Sequence, residues 1–101
     1  IPAGAKTGEE LFEAVCAMCH GHYGLGGVAK TINDYNYVSN NTADYFQNAI
    51  SNGVPNAAMP GFSEEQGGPL NEHQVQSLGD LMVWWREGYV FKANEKHHRG
   101  K

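Results

Sequence analysis

The sequence predicts an all-α fold with three main helices joined by long loops. Three segments place apolar residues at helical spacing, and each is bounded by polar capping residues and by glycine. No segment of useful length alternates apolar and polar residues as a strand would. Leu, Ile, Val and Phe occupy only 19 of 101 positions, so a domain of this size needs a disulfide, a metal or a cofactor within its core.

The first helix is predicted to begin after Thr7, which forms a capping box with Glu10 three residues later. Gly21 is expected to end the helix after His20, because glycine accepts the backbone conformations that follow a helix. The apolar stripe of this helix consists of Leu11, Phe12, Val15 and Cys19.

A second helix is predicted to start at Asn41 or Thr42 and to end at Gly53. Its buried residues are expected to be Phe46, Ala49 and Ile50. Residues 21–41, rich in Gly, Asn and Tyr, are predicted to form one long ordered loop of the kind that encloses a functional group. Residues 54–69 contain three Pro and three Gly and are predicted to be irregular.

The last helix has the clearest predicted start, with Asn71 as N-cap, Gln74 completing a capping box, and Leu70 packing on Val75. Gly88 is expected to end it. The predicted apolar stripe consists of Val75, Leu78, Leu81, Met82, Trp84 and Trp85.

Charge divides the chain into an acidic body and a basic tail. Residues 1–91 carry 3 Lys/Arg and 10 Asp/Glu, a net charge of −7, whereas residues 92–101 carry 4 and 1, a net charge of +3. We therefore predict one domain over residues 1–91 and a solvated, frayed tail over residues 92–101. The acidic balance argues against nucleic-acid binding, and no stretch is long and apolar enough to be a transmembrane segment.

The strongest motif is Cys16-Ala17-Met18-Cys19-His20, the C-x-x-C-H pattern of covalent c-type haem attachment. One helical turn places two thiols on the same side and an imidazole directly after them, as two thioethers and one iron ligand require. A thioredoxin-like redox pair, a zinc site and a structural disulfide are the alternatives. A thioredoxin-like pair needs a βαβ setting, which is absent, and a zinc site needs a second pair of ligands. A structural disulfide would leave the thin core unexplained.

The sequence resembles the class I, monohaem cytochromes c over roughly residues 4–90. Gly8 and Phe12 stand eight and four residues before Cys16, as the small and aromatic helix-contact positions of that family do. The segment from Gly24 to Gly27 resembles its glycine-rich loop. Leu81 and Trp84 match its Leu-x-x-aromatic pattern, which implies that the first and last helices cross there.

The resemblance implies a cytochrome c fold wrapped round one haem c, attached through Cys16 and Cys19. It also implies that His20 is the proximal iron ligand and that Met59, in Ala58-Met59-Pro60-Gly61-Phe62, is the sixth ligand. The alternatives are that the iron has no strong sixth ligand or that His73 takes this place, and Met82 is expected to fill the core. Where the family usually has a proline after the glycine loop, this chain has Lys30. A backbone carbonyl there can still accept a hydrogen bond from the proximal histidine.

With both axial positions filled, the expected function is outer-sphere transfer of one electron, and not catalysis at the iron. The protein would be a monomeric soluble carrier or a cytochrome subunit or domain of a respiratory complex. It would meet a redox donor and acceptor at the haem edge. The alternative is a haem-based ligand sensor or peroxidase-like enzyme whose distal methionine dissociates. Covalent haem attachment implies a periplasmic or equivalent exported compartment and a leader peptide that has been removed.

Overall fold

The computed structural model describes the backbone of residues 7–98 and the side chains of residues 7–88, and its described part consists of helices joined by turns and loops. Helices α1 (Gly8–Leu11) and α2 (Ala17–His20) are joined by a π-helical turn, Phe12–Cys16. Helix α3 spans Tyr35–Ser39, α4 spans Ala43–Asn52, and α5 spans Glu72–His98. Short 3₁₀ turns lie at His22–Gly24 and Glu64–Gln66. No strand forms within residues 7–98, which confirms the all-α prediction.

The first helical segment starts and stops where the sequence predicts. The Glu10 backbone N–H donates to Thr7 Oγ1 at 3.1 Å, and the Thr7 hydroxyl donates to the Glu10 carboxylate at 3.1 Å. Gly21 ends α2 with φ of 81°, in the region that favours glycine. The unpredicted feature is the π-helical turn, which interrupts the α-helix directly before Cys16.

The segment 21–41 is not a single loop, because it contains helix α3. Asp34 caps this helix by accepting a hydrogen bond from the Tyr37 backbone N–H at 3.2 Å. Val38 is fully buried and fixes α3 on the core. The helix is too short for a periodic pattern to stand out among the surrounding Asn and Tyr residues, which is why it was not predicted. Such a short helix is not stable alone, and the Asp34 cap and the buried Val38 stabilise it.

Helix α4 agrees closely with the second helix predicted from the sequence. Thr42 is the N-cap, its Oγ1 accepting from the Tyr45 backbone N–H at 3.1 Å, and Gly53 ends the helix with φ of 83°. The buried residues are those expected, namely Phe46, Ala49 and Ile50.

Helix α5 begins at the predicted capping box but does not end at Gly88. The Asn71 side chain accepts from the Gln74 N–H at 2.9 Å, and the Gln74 side chain accepts from the Asn71 N–H at 2.8 Å. The helix then continues through Gly88 to His98. A glycine costs only about 1 kcal/mol inside a helix that is already formed, so it does not by itself end one. The side chains of the predicted tail that lie in this helix, and residues 99–101, are outside the described part.

The first and last helical segments cross as the family resemblance implies. A Cβ on Gly8 would lie 2.5 Å from the Ser77 carbonyl oxygen and 3.2 Å from Leu81 Cβ. The aromatic contact at the crossing is made by Trp85, whose ring meets Phe12 edge-on at 5.3 Å. Trp84, predicted to belong to the buried stripe, is instead 61% exposed. Adjacent helical positions point about 100° apart, so only one of the two tryptophans can face α1.

The buried apolar residues form one core between the helices. They are Leu11, Phe12, Ile32, Val38, Phe46, Ala49, Ile50, Leu70, Val75, Leu78, Leu81, Met82 and Trp85. In the part of the chain that the structure describes, no helix has the length and apolar character needed to cross a membrane.

Candidate functional site: the C-x-x-C-H turn and its carbonyl partner

Cys16, Cys19 and His20 lie on one continuous stretch, with Cys16 at the end of the π-helical turn and the other two in α2. The Ala17 N–H donates to the Phe12 carbonyl, five residues back, where an α-helix would use the fourth. Both cysteines are free thiols. Cys16 is half-buried against the hydrophobic core, and Cys19 is exposed.

Burial raises the pKa of the Cys16 thiol to about 12, and the neighbouring Cys19 adds to the shift. The thiol is therefore protonated at neutral pH. The nucleophilic cysteine of a redox-active C-x-x-C pair has the opposite, a lowered pKa. Among residues that the structure describes, no three His, Cys, Asp or Glu side chains are grouped as a metal site would need.

The His20 ring is oriented by a backbone acceptor. Its Nδ1 lies 2.8 Å from the Lys30 carbonyl oxygen. A carbonyl only accepts, so Nδ1 carries the proton and Nε2 of the neutral ring is left with its lone pair for a metal. The sequence predicts that a backbone carbonyl can serve here without a proline, and the structure confirms this.

The glycine-rich loop folds back on the carbonyl groups that end α2. The Gly26 N–H donates to the His20 carbonyl at 2.7 Å, and the Ala29 N–H donates to the Cys19 carbonyl at 2.7 Å. A Cβ on Gly27 would lie 2.8 Å from the Cys19 carbonyl oxygen, so glycine permits this approach. These bonds satisfy helix-end acceptors and bring Lys30 back beside His20.

Glu13 holds the residues that follow His20, a role that the sequence did not predict. One carboxylate oxygen lies 2.5 Å from His22 Nδ1, and the other accepts from the Tyr23 backbone N–H at 3.1 Å. Asn33 donates to the Tyr23 carbonyl at 2.8 Å, which secures the other side of this residue. Tyr23 has φ of 58°, so these bonds stabilise a backbone conformation that non-glycine residues rarely adopt. No spacing pattern in the sequence marks such a contact.

Met59 lies half-buried on a separate loop that packs tightly on the end of α4. The Val54 N–H donates to the Met59 carbonyl at 3.3 Å, and the Phe62 N–H donates to the Ile50 carbonyl at 2.8 Å. A Cβ on Gly53 would lie 2.8 Å from the Met59 carbonyl oxygen. These contacts hold the backbone of the loop in place. The role of the Met59 thioether as an iron ligand stays a prediction.

The other methionines and histidines within residues 7–88 occupy different environments. Met82 is buried in the core, as predicted. Met18 is 85% exposed, and His73 is exposed at the start of α5. His22 is bound to Glu13.

The chemistry of this donor set fits a haem. A free thiol pair on one turn offers two thioether positions, and the imidazole has its tautomer fixed with Nε2 available.

An open groove of about 620 Å³ between α4 and α5 contains none of these residues. It is lined mainly by polar and acidic side chains, including Asp44, Glu64, Glu65 and Glu72.

Comparison with protein families matches residues 3–82 to the family described as cytochrome c oxidase, cbb3-type, subunit III. The match covers most of the chain and includes every predicted site residue. No curated protein and no solved structure matches the chain significantly.

Proposed function

The chain belongs to the cytochrome c oxidase, cbb3-type, subunit III family, and on that premise we propose that it transfers single electrons with His20 and Met59 as axial iron ligands. Membership in this family of monohaem c-type cytochrome domains implies haem-based electron transfer and a covalently bound haem c. We propose in addition which residues hold the haem and what each of them does.

The single observation that supports the proposal most is the His20–Lys30 hydrogen bond. It leaves Nε2 as the coordinating atom and limits rotation of the ring. Cys16 and Cys19 would hold the group through two thioethers, one from the core side and one from the surface. When bound, haem supplies a one-electron couple at its iron.

Met59 closes the second axial position in this proposal. With a thioether there, no coordination position is left for dioxygen, peroxide or an organic substrate. A thioether also favours reduced iron more than a second imidazole does, so the potential rises. His20 and Met59 would hold the iron in both oxidation states, so that electrons could cross to partners without a bond to iron.

The biological role proposed is that of a soluble carrier, or of a cytochrome subunit or domain of a respiratory complex such as a cbb3-type oxidase. Its partners would be a redox donor and acceptor that approach the haem edge, and the compartment would be the periplasm or its equivalent. The net charge of −7 over residues 1–91 favours partners with basic contact surfaces.

The test is the visible spectrum of the haem-loaded protein, oxidised and reduced, before and after addition of carbon monoxide. We expect sharp low-spin bands, a sulfur-to-iron charge-transfer band when oxidised, and no response to carbon monoxide. Met59→Ala should abolish the charge-transfer band and allow carbon monoxide to bind. Met18→Leu is the matched control, because Met18 is exposed, and it should leave the spectrum unchanged.

Two outcomes would change the assignment. An unaltered low-spin spectrum in Met59→Ala would contradict methionine ligation there, and loss of that spectrum in His73→Ala would transfer the role to His73. A wild-type protein that binds carbon monoxide readily would favour the second class of function, a haem-based sensor or peroxidase-like enzyme with a labile distal methionine.

A further inference from the structure

Lys30 contacts two different parts of the molecule at once. Its carbonyl accepts the hydrogen bond from His20 Nδ1 at 2.8 Å, while its Nζ lies over the Tyr37 ring, 4.2 Å from the centroid. We propose that Lys30 and Tyr37 are positioning residues, whose cation–π contact holds the Lys30 carbonyl in place against the His20 ring. The inference rests on the proposed function, because it concerns His20 as an iron ligand.

The Tyr37 ring is a firm anchor for this contact. The Tyr37 backbone N–H donates to the Asp34 carboxylate at 3.2 Å, and its carbonyl accepts from Asn41 Nδ2 at 2.8 Å. The ring packs on Phe46, with centroids 5.8 Å apart, and Phe46 is only 1% exposed. Tyr37 is thus held by both ends of α3 and by the buried face of α4.

The Lys30 carbonyl depends on its surroundings for its position, because no proline ring fixes the φ of this residue. The residues on either side are held, since Ala29 N–H donates to the Cys19 carbonyl at 2.7 Å and Ile32 N–H donates to the Gly24 carbonyl at 2.9 Å. Between them, Lys30 lacks the ring that locks φ in proline. The contact between the Lys30 side chain and the Tyr37 ring takes the place of the proline ring and restricts the Lys30 backbone.

The expected effect on the iron follows from the chemistry of the imidazole. A strong Nδ1–H···O=C bond makes Nε2 a better electron donor, which stabilises oxidised iron. Loss of the cation–π contact should loosen this bond. At an exposed site the loss should raise the opening equilibrium of the hydrogen bond about two- to five-fold, and it should raise the ratio of reduced to oxidised protein at a fixed potential by a smaller factor.

The experiment uses the haem-loaded full chain and two readouts. NMR measures the solvent exchange rate of the His20 Nδ1 proton in the reduced protein, and a redox titration measures the reduced fraction. Tyr37→Leu and Lys30→Met remove the contact from its two sides. Tyr37→Phe and Lys30→Arg are the matched controls, since they keep a ring and a cation respectively.

We expect faster Nδ1 exchange in both Tyr37→Leu and Lys30→Met, a larger reduced fraction in Tyr37→Leu, and both controls close to wild type. The double variant should add nothing further, because both changes break one contact. Tyr37→Leu leaves the charge unaltered. Its effect therefore reports a loosened His20–Lys30 hydrogen bond and not the loss of a cation near the iron. Lys30→Met in turn spares the Tyr37–Phe46 packing, because the Lys30 side chain is exposed.

Unchanged Nδ1 exchange in both Tyr37→Leu and Lys30→Met would overturn the inference and would mean that the backbone bonds alone hold the carbonyl. Additive effects in the double variant would also overturn it. Failure of the proposed function looks different, because the wild-type spectrum itself would then lack the low-spin bands of a closed His/Met iron.

Discussion

At the residue scale, Glu13 shows how one side chain stabilises the segment that follows the C-x-x-C-H motif. A hydrogen bond with the His22 ring, and a further one from the Tyr23 N–H, hold the pKa of the Glu13 carboxyl below its usual 4.5. A lowered pKa in the folded state means that the carboxylate contributes stability above the unfolded value. This contribution is lost as the pH falls through the folded pKa.

Glu13→Gln should therefore unfold more easily than wild type at neutral pH, and the difference should shrink below pH 4.5. Urea unfolding of the haem-loaded protein at a series of pH values measures it. Glu9→Gln is the matched control, because Glu9 is an exposed carboxylate of α1. If both variants lost the same stability with the same pH dependence, the hydrogen bonds of Glu13 would have no particular role.

At the same scale, some residue roles could be predicted and others could not. The motif predicts His20 as a ligand, because the spacing itself encodes the chemistry. The family resemblance points to Lys30 as its carbonyl acceptor, but no side-chain pattern does, since every residue at 28–32 has a carbonyl. The structure selects Lys30, through the loop hydrogen bonds that carry this residue back to His20.

At the element scale, the crossing of α1 and α5 depends on the absence of a side chain at Gly8. A Cβ there would lie 2.5 Å from the Ser77 carbonyl oxygen, a distance that forces backbone to move. Gly8→Ala should destabilise the protein by about 1–3 kcal/mol, the usual cost of overpacking. Chemical denaturation of the haem-loaded protein measures the change.

Gly88→Ala is the matched substitution with the opposite expected sign. Apart from the helix's own backbone, no atom of the described residues lies within 4 Å of a Cβ at Gly88, and the residue is inside α5. Alanine there should stabilise the protein by about 0.5–1 kcal/mol, since it lowers the backbone entropy lost on helix formation. Equal effects of the two substitutions would contradict the assignment of Gly8 to a close helix crossing.

Helix starts were predicted better than helix ends or helix faces. Thr42 and Asn71 act as caps through local hydrogen bonds, which depend only on nearby residues. The continuation of α5 through Gly88 and the choice of Trp85 over Trp84 as the contact with Phe12 depend on the partner helix. Such choices are made by packing, which the sequence pattern leaves open.

At the scale of the whole molecule, the thin core predicts that the haem is part of the folded structure. The double variant Cys16→Ala/Cys19→Ala should lose covalent haem. Its unfolding free energy should fall by at least about 3 kcal/mol, the range of large core truncations. Haem retention after denaturing extraction and thermal unfolding followed by circular dichroism measure the two effects. An unchanged midpoint in the double variant would contradict a structural role for the haem.

The sequence by itself determined the helical class and the helix caps, and its charges define an acidic body and a basic tail; it also predicted Cys16, Cys19 and His20 as the haem site. These features depend on neighbours along the chain, so spacing alone encodes them. Only the tertiary structure decided that Lys30 meets both His20 and Tyr37, that Glu13 holds Tyr23, and which tryptophan enters the core. Those contacts join residues about seven to seventy positions apart, and only the packing of the folded chain brings them together.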